Sequence, residues 1–490
     1  MALLLIFQLL ISLPVCLLFL LQRHSTKTRR VLRFPPGPSG LPFIGNLQQF
    51  DHSNPPRYMW KLSRQYGPLV HLRLGSLPTL VVSSAKMAKE VYKCHDLEFC
   101  GRPFLFGQQK LSYNGLDLAF SPCNANWREL RKICVVPNRV QQFSPVREEE
   151  VSRMIGKISK SVDAFNKPVN LIAFGKRYED DGSEIRRFHA LLSEAQVMLA
   201  SFFFADLFPS MGWIDRFAEM IRPLENSFKG LEIFFQELMD EYLDPNISKT
   251  EQKEDIINVL LQLLKEREFK FNISLDHIKA NVFVGGTDAS AATVIWTLTY
   301  LMKNPKYMEK AEEEIRCVIG NKDFINQDDV RNLPYLKAVV KESMRLQPAV
   351  PLSPRSTIEK CILEGYEIPA RTLVFANAWG IGRGLEGSEN VEEFNPNKFI
   401  GSCIDLKGQN FELVPFDSGK RSCPGIYMRI AMVEHALANL LHEFDWELPA
   451  GMRKKGPFIL VPTDLICCRI LPGITMHKKN SLFLIARNHM

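Results

Sequence analysis

Apolar and polar positions divide the chain into stretches of different period. Residues 1–21 form one apolar run broken only by Gln8 and small polar groups such as Ser12. At about 1.5 Å per residue it spans a hydrocarbon core of roughly 30 Å. No Lys or Arg precedes it, whereas Arg23, Lys27, Arg29, Arg30 and Arg33 follow. That charge order predicts an uncleaved anchor rather than a cleaved signal peptide, with the body on the cytosolic side. Pro35-Pro36-Gly37-Pro38-Ser39-Gly40-Leu41-Pro42 cannot continue a helix and predicts a stiff stalk. Short alternating stretches at 69–74 and 79–82, with Gly75-Ser76 between them, predict a hairpin. Helical periodicity then dominates around 128–134, 184–204, 214–242, 251–266, 274–303, 305–319, 333–346 and 425–443. Segment 361–375 is β-like, with a turn at Glu364-Gly365. No repeat or second linker interrupts the body. The pattern predicts an anchor over 1–22, a basic, proline-rich stalk over 23–45, and one large domain over 46–490, mainly α with a minor β part.

Composition changes this picture little. The 490 residues are 46% apolar and 23% charged, which excludes a disordered, collagen-like or disulfide-stapled chain. A net charge of +7 is mild over this length. It suits an anionic membrane surface or an acidic partner and gives no sign of nucleic-acid binding. The eleven cysteines form no C-x-x-C pair, and Cys467 and Cys468 are adjacent. Neither a zinc site nor a disulfide framework follows, and a reducing compartment is expected.

The sharpest chemical signal is Pro415-Phe416-Asp417-Ser418-Gly419-Lys420-Arg421-Ser422-Cys423-Pro424-Gly425. A glycine-rich loop presents one cysteine beside two cations, just before an apolar helix. Dipole and charges there are expected to lower the thiol pKa. A soft thiolate without neighbouring ligands suits haem iron better than zinc. With this loop, the chain resembles the cytochrome P450 haem-thiolate superfamily, in particular the plant microsomal type of specialised metabolism. The resemblance runs from the anchor and proline stalk to Leu482.

It implies a P450 fold holding haem b (iron protoporphyrin IX), with Cys423 as the metal ligand and Phe416 packed beside it. Trp127 and Arg131 share one helix face and match the family's propionate contact. Arg355 and Arg421 match further propionate donors, and an arginine fork suits carboxylates. Glu342 and Arg345 match a buried structural pair that locks onto a P-E-R-F arginine, here Lys398 in Pro396-Asn397-Lys398-Phe399. Over the haem, segment 282–300 carries Gly285-Gly286-Thr287-Asp288-Ala289-Ser290. Gly286 makes room for oxygen and Asp288 aids proton delivery. Ala289 stands where the family has a threonine that hydrogen-bonds in the oxygen pocket, and Ser290 points about 100° away. Asp417 replaces a usual glycine, which the left-handed tolerance of Asp accommodates. The chain is short after Cys134 and near Lys167, and carries an apolar insertion over 456–468.

The implied activity is a membrane-anchored monooxygenase at the endoplasmic reticulum. It would insert one oxygen atom from O2 into a small apolar or aromatic metabolite. Electrons would come from an NADPH-dependent flavoprotein reductase, with Lys132, Lys420 and Arg429 as its basic contacts. The expected substrate walls are residues 103–120, Phe283, Val284 and residues 349–352. Ala289 motivates an alternative, a haem-thiolate isomerase or dehydratase that needs no external electrons. The length changes motivate another, a catalytically impaired copy of the fold.

Overall fold

The computed structural model describes residues 34–134, 141–160, 183–244, 256–266, 273–285, 288–320, 322–384, 390–448, 470–471, 473–479, 482 and 484–489. The predicted anchor, the first part of the stalk up to residue 33, Gly286, the two shortened stretches beyond Cys134 and near Lys167, and the 456–468 insertion lie outside them, whereas the proline segment 35–42 is described and carries no helix.

Asn54 caps α1 (Pro55–Tyr66), its side chain accepting the Arg57 N–H at 3.2 Å, with proline opening the first turn. α1 buries Met59 and Leu62 against a four-stranded sheet. The expected hairpin is β1 (Leu69–Leu74) and β2 (Leu77–Val82), closing through Gly75 at φ 62°. β3 (Leu352–Ser356) was not legible in the sequence because Pro354 sits inside it. It occupies the sheet edge, where a proline costs no ladder bond. The 361–375 stretch divides into a small hairpin, β4 (Cys361–Leu363) and β5 (Tyr366–Ile368), and the start of β6 (Leu373–Asn377). Glu364 and Gly365 turn at φ 49° and 79°, the two positive values a two-residue hairpin needs. β6 runs parallel to β2 and antiparallel to β3, giving the order β1-β2-β6-β3.

The longer helices that follow among the described residues are α2 (Ala125–Cys134), α3 (Ser144–Lys160), α4 (Ser183–Ala200), α5 (Ile221–Leu243), α6 (Ile256–Glu266), α7 (Leu275–Gly285), α8 (Ala289–Lys303), α9 (Pro305–Ile319), α10 (Pro334–Leu346) and α11 (Ile426–Glu443). The pattern at 214–242 is broken by Glu219 at φ 53°, which separates a single turn at Ile214–Phe217 from α5. The pattern at 274–303 is described as α7 and α8, with Asp288 at the head of the second. α3 was not legible in the sequence because the charged run Arg147-Glu148-Glu149-Glu150 opens it, and its apolar face is narrow, with Val151 and Ile155 buried in the core and Met154 and Ile158 half-buried against it.

α8, α9, α10 and α11 pack around Trp296, Ile315, Val339 and Leu437, all buried. α4 to α7 build a second apolar cluster. Segment Ala190–Leu207 is long and apolar enough to cross a bilayer by length and composition. Leu192, Ala195, Leu199 and Phe203 within it are nonetheless buried in that second cluster. β7 (Phe444–Glu447) pairs with β8 (Ile485–Asn488). The chain just before β8 returns to the core, where the Met476 N–H meets the Ala349 carbonyl at 2.7 Å and the Met476 carbonyl accepts Trp296 Nε1 at 2.8 Å.

Candidate functional site

The cysteine loop runs into α11 and is shaped by backbone constraints. Gly419 takes φ 64°, and a Cβ there would meet the Tyr92 carbonyl at 2.5 Å. Asp417 takes φ 62°, the left-handed value expected of it. The Cys423 N–H donates to the Phe416 carbonyl at 2.9 Å, and Phe416 is buried. This places the thiol two residues before Gly425, the residue that precedes α11.

The thiol does not have the lowered pKa expected from the loop. Burial pushes it above its ordinary value, and the nearby Arg429, the Gly425 N–H and Arg131 oppose this only in part. The two cations read from the sequence point elsewhere. Lys420 is exposed. Arg421 donates Nε to the Cys100 carbonyl and Nη2 to the Ser121 carbonyl, both at 2.7 Å.

Trp127 organises the arginines next to the loop. Its Nε1 donates to the Leu118 carbonyl at 3.0 Å, and the Arg421 and Arg131 guanidinium groups lie 4.4 and 5.4 Å from its ring centre. Arg131 Nη2 also donates to Ser422 Oγ at 2.9 Å. Burial and the neighbouring Arg102 bring Arg421 down to about 9. Its Nη1 is buried without a hydrogen-bond partner among the described residues.

Arg355 is fully buried, but it does not face the loop as an uncompensated cation. Nη2 donates to Asp417 Oδ1 at 2.8 Å and to the Ser418 carbonyl at 2.6 Å, and Nη1 lies 3.5 Å from Asp96 Oδ1. Burial favours the neutral Asp417 acid, yet Arg355, Arg102 and the Ser353 hydroxyl hold its carboxyl below the ordinary range. The aspartate at the usual glycine position therefore compensates this arginine. Arg102 is a half-buried cation with no motif of its own in the sequence. It donates Nε to the Ala119 carbonyl at 2.6 Å and Nη1 to the Pro354 carbonyl, and its only sequence signal is the turn-like Gly101-Arg102-Pro103.

Across from the loop, the head of α8 carries Asp288 and Ala289. The Ala289 carbonyl accepts Thr293 Oγ1 at 2.9 Å and Arg429 Nη2 at 2.8 Å. Arg429 also reaches Thr293 Oγ1 at 2.5 Å, with its guanidinium 5.0 Å from the Phe416 ring centre. Arg429, expected at a partner surface, instead turns inward and ties α11 to α8. Lys132 is exposed and pairs with Glu129 at 2.8 Å. Asp288 Oδ2 meets His477 Nε2 at 2.5 Å, a contact across 189 positions with no sequence signal. The Leu118 N–H donates to Asn281 Oδ1 on α7 at 3.0 Å, so the 103–120 stretch does reach that helix.

Glu342 and Arg345 form the expected buried pair, joined Nε to Oε2 at 2.6 Å and Nη2 to Oε1 at 2.8 Å. Arg345 also donates to the carbonyls of Gly382, Val391 and Glu393. The expected third cation, Lys398, donates to the Asn390 carbonyl at 3.4 Å, while the Asn395 N–H reaches Glu342 Oε1 at 2.8 Å. Backbone thus helps to close the lock.

A thiol just before a long helix, with Arg131 and Arg429 beside it and Arg429 joining that helix to the head of α8, is the layout of a haem-thiolate protein. The chain belongs to the cytochrome P450 family, whose sequence profile matches residues 35–465. It is 45% identical to a 6,7,8-trihydroxycoumarin synthase of Pastinaca sativa, with 98% of each chain covered. It is 43% identical to a 5-OH-xanthotoxin synthase of Ammi majus, again over 98% of each. A zebra fish cytochrome P450 solved with abiraterone has the same fold. Its TM-score is 0.71 at 19% identity, covering 89% of this chain and all of that one. The protein is accordingly a haem-dependent oxidoreductase of the monooxygenase class. The residues present fit the cofactor: one thiol stands ready for iron, and Arg421 has a buried N–H open to an acid group.

Proposed function

We propose that this protein hydroxylates an oxygenated aromatic metabolite of coumarin type, using electrons passed from NADPH through a flavoprotein reductase. The observation that carries this reading is the end-to-end likeness to relatives named for hydroxylated products. In this reading Cys423 binds the iron and Phe416 shields it. Arg131 and Arg421 hold the propionates, with the Trp127 ring beneath their guanidinium groups placing them, and Arg355 contributes less because Asp417 faces it. When bound, haem supplies the activation of dioxygen. The chain's own residues orient the substrate, exclude water and bring protons through Asp288, with Gly286, two positions earlier in the sequence, making room for oxygen. Lys132 and Lys420 remain exposed for the reductase.

The same reading places residues 1–22 in the endoplasmic reticulum membrane, 23–45 as the stalk and 46–490 as a cytosolic domain. The apolar run supports it, as do the exposed Leu41, Phe43 and Ile44 at the end of the stalk and Trp213 and Phe217 at the turn before α5. The test is turnover of simple hydroxycoumarins by the full-length protein with a plant reductase and NADPH. A hydroxylated product that requires both is expected. Product formed without NADPH would instead favour the redox-neutral isomerase or dehydratase, the reading that Ala289 motivates.

Ala289 yields its own expectation. A methyl cannot orient a proton donor, and one oriented hydrogen bond is worth roughly 3 kcal/mol in a catalytic site. Ala289→Thr should therefore lower the peroxide released per NADPH several-fold. A wild type already tightly coupled on a substrate without a hydroxyl, with no change in the variant, would show that the alanine is no handicap.

A further inference from the structure

We propose that His477 is a positioning residue for Asp288, orienting its carboxylate and linking it to solvent so that protons reach the pocket despite the methyl of Ala289. The proposal rests on the monooxygenase reading above. Its foundation is the 2.5 Å contact between His477 Nε2 and Asp288 Oδ2. The two side chains are 27% and 18% exposed, so the pair lies neither in bulk water nor sealed in the core.

The backbone around His477 is pinned on both sides. Met476 is buried, its N–H held by the Ala349 carbonyl and its own carbonyl held by Trp296 of α8. The His477 carbonyl accepts the Leu471 N–H at 2.9 Å, and Ile470 bridges Lys478. The Thr475 N–H is taken by Gln196 of α4 at 3.2 Å. α8 therefore carries the acid and, two turns on, also grips the segment that brings the imidazole to it. From the opposite side Arg429 of α11 is electrostatically coupled to Asp288. The carboxylate is thus set by groups on separate elements.

An imidazole suits the link because either ring nitrogen can carry the proton. When Nε2–H gives its proton to Asp288 Oδ2, the other ring nitrogen takes one from solvent, and the carboxyl passes its proton into the pocket. No electrons move in this step.

The test compares full-length wild type, His477→Ala, His477→Gln, Asp288→Asn and the double variant His477→Ala/Asp288→Asn. All are reconstituted with reductase on one turned-over coumarin. Haem content and the reduced carbonyl spectrum should match wild type in the His477 variants; should His477→Ala lose haem, His477→Gln, of similar reach, carries the comparison. Peroxide per NADPH should rise several-fold in His477→Ala and stay high in His477→Gln, which can donate one hydrogen bond but cannot relay a proton. The double variant should be no worse than Asp288→Asn alone. In addition, the ring ¹⁵N resonances of His477, assigned by their loss in His477→Gln, should shift in Asp288→Asn.

Additive effects in the double variant, or ring resonances indifferent to Asp288→Asn, would overturn the proposal while leaving the monooxygenase reading intact. A wild type lacking both the reduced carbonyl band and NADPH consumption would overturn that reading and the proton role with it, and the ring shift would then report a structural contact alone.

Discussion

Cys423→Ala is expected to abolish the long-wavelength Soret band of the reduced carbonyl form, together with all NADPH-dependent product. Cys423 alone among the cysteines occupies the loop where backbone, aromatic ring and arginines converge. Its N–H is tied to Phe416, its loop is held by Gly419, and Arg421 and Arg131 share the Trp127 ring. Among the described residues the other thiols have different surroundings, Cys123 being half-buried beside Cys100. Cys100 and Cys361 are buried with pKa values pushed up to about 11 by burial, while Cys94, Cys317 and Cys403 are exposed. Burial also raises the Cys423 thiol, and binding to iron would displace its proton, as metal binding does for a thiol ligand. A Cys423→His variant should keep some haem but lose the band, because imidazole donates less charge to iron than thiolate does. Retention of the band in Cys423→Ala, with its loss in a variant of another cysteine, would refute the assignment.

Glu342→Gln is expected to cost roughly 3–5 kcal/mol, the range for removing one partner of a buried ion pair. Both side chains are essentially inaccessible, and the fork of Arg345 is committed to Glu342 and three carbonyls. Those carbonyls belong to residues 382–393, upstream of the cysteine loop, so loosening the pair should also reduce haem retention. Arg345→Lys should be nearly as damaging, since an ammonium cannot make the paired contacts. Lys398→Arg should change stability little, because the Asn395 N–H already meets the Glu342 carboxylate. Urea denaturation followed by tryptophan fluorescence and Soret absorbance checks all three. A Glu342→Gln midpoint equal to that of wild type would show that the pair contributes nothing net.

While the burial of the Glu342–Arg345 pair was implied only by the family resemblance, the sequence by itself determined the helical body, the early hairpin, the position of the cysteine loop and the spacing of Glu342 and Arg345 on one helix face. Each of these is local: a 3.6-residue or two-residue period, a glycine needed for a positive φ, or two charges three positions apart on one helix. It also located Asp417 in the left-handed region and Trp127 with Arg131 on one face. Only the tertiary structure decided which charges are compensated. Arg355 meets an aspartate 62 positions away, Arg429 turns from the surface toward α8, and Asp288 is met by a histidine 189 positions later. No period or spacing encodes such contacts, because they depend on which elements the core packs together. The thiol's pKa was misjudged for the same reason. Charges beside Cys423 in the chain were legible, but the burial that outweighs them is a property of the packed molecule.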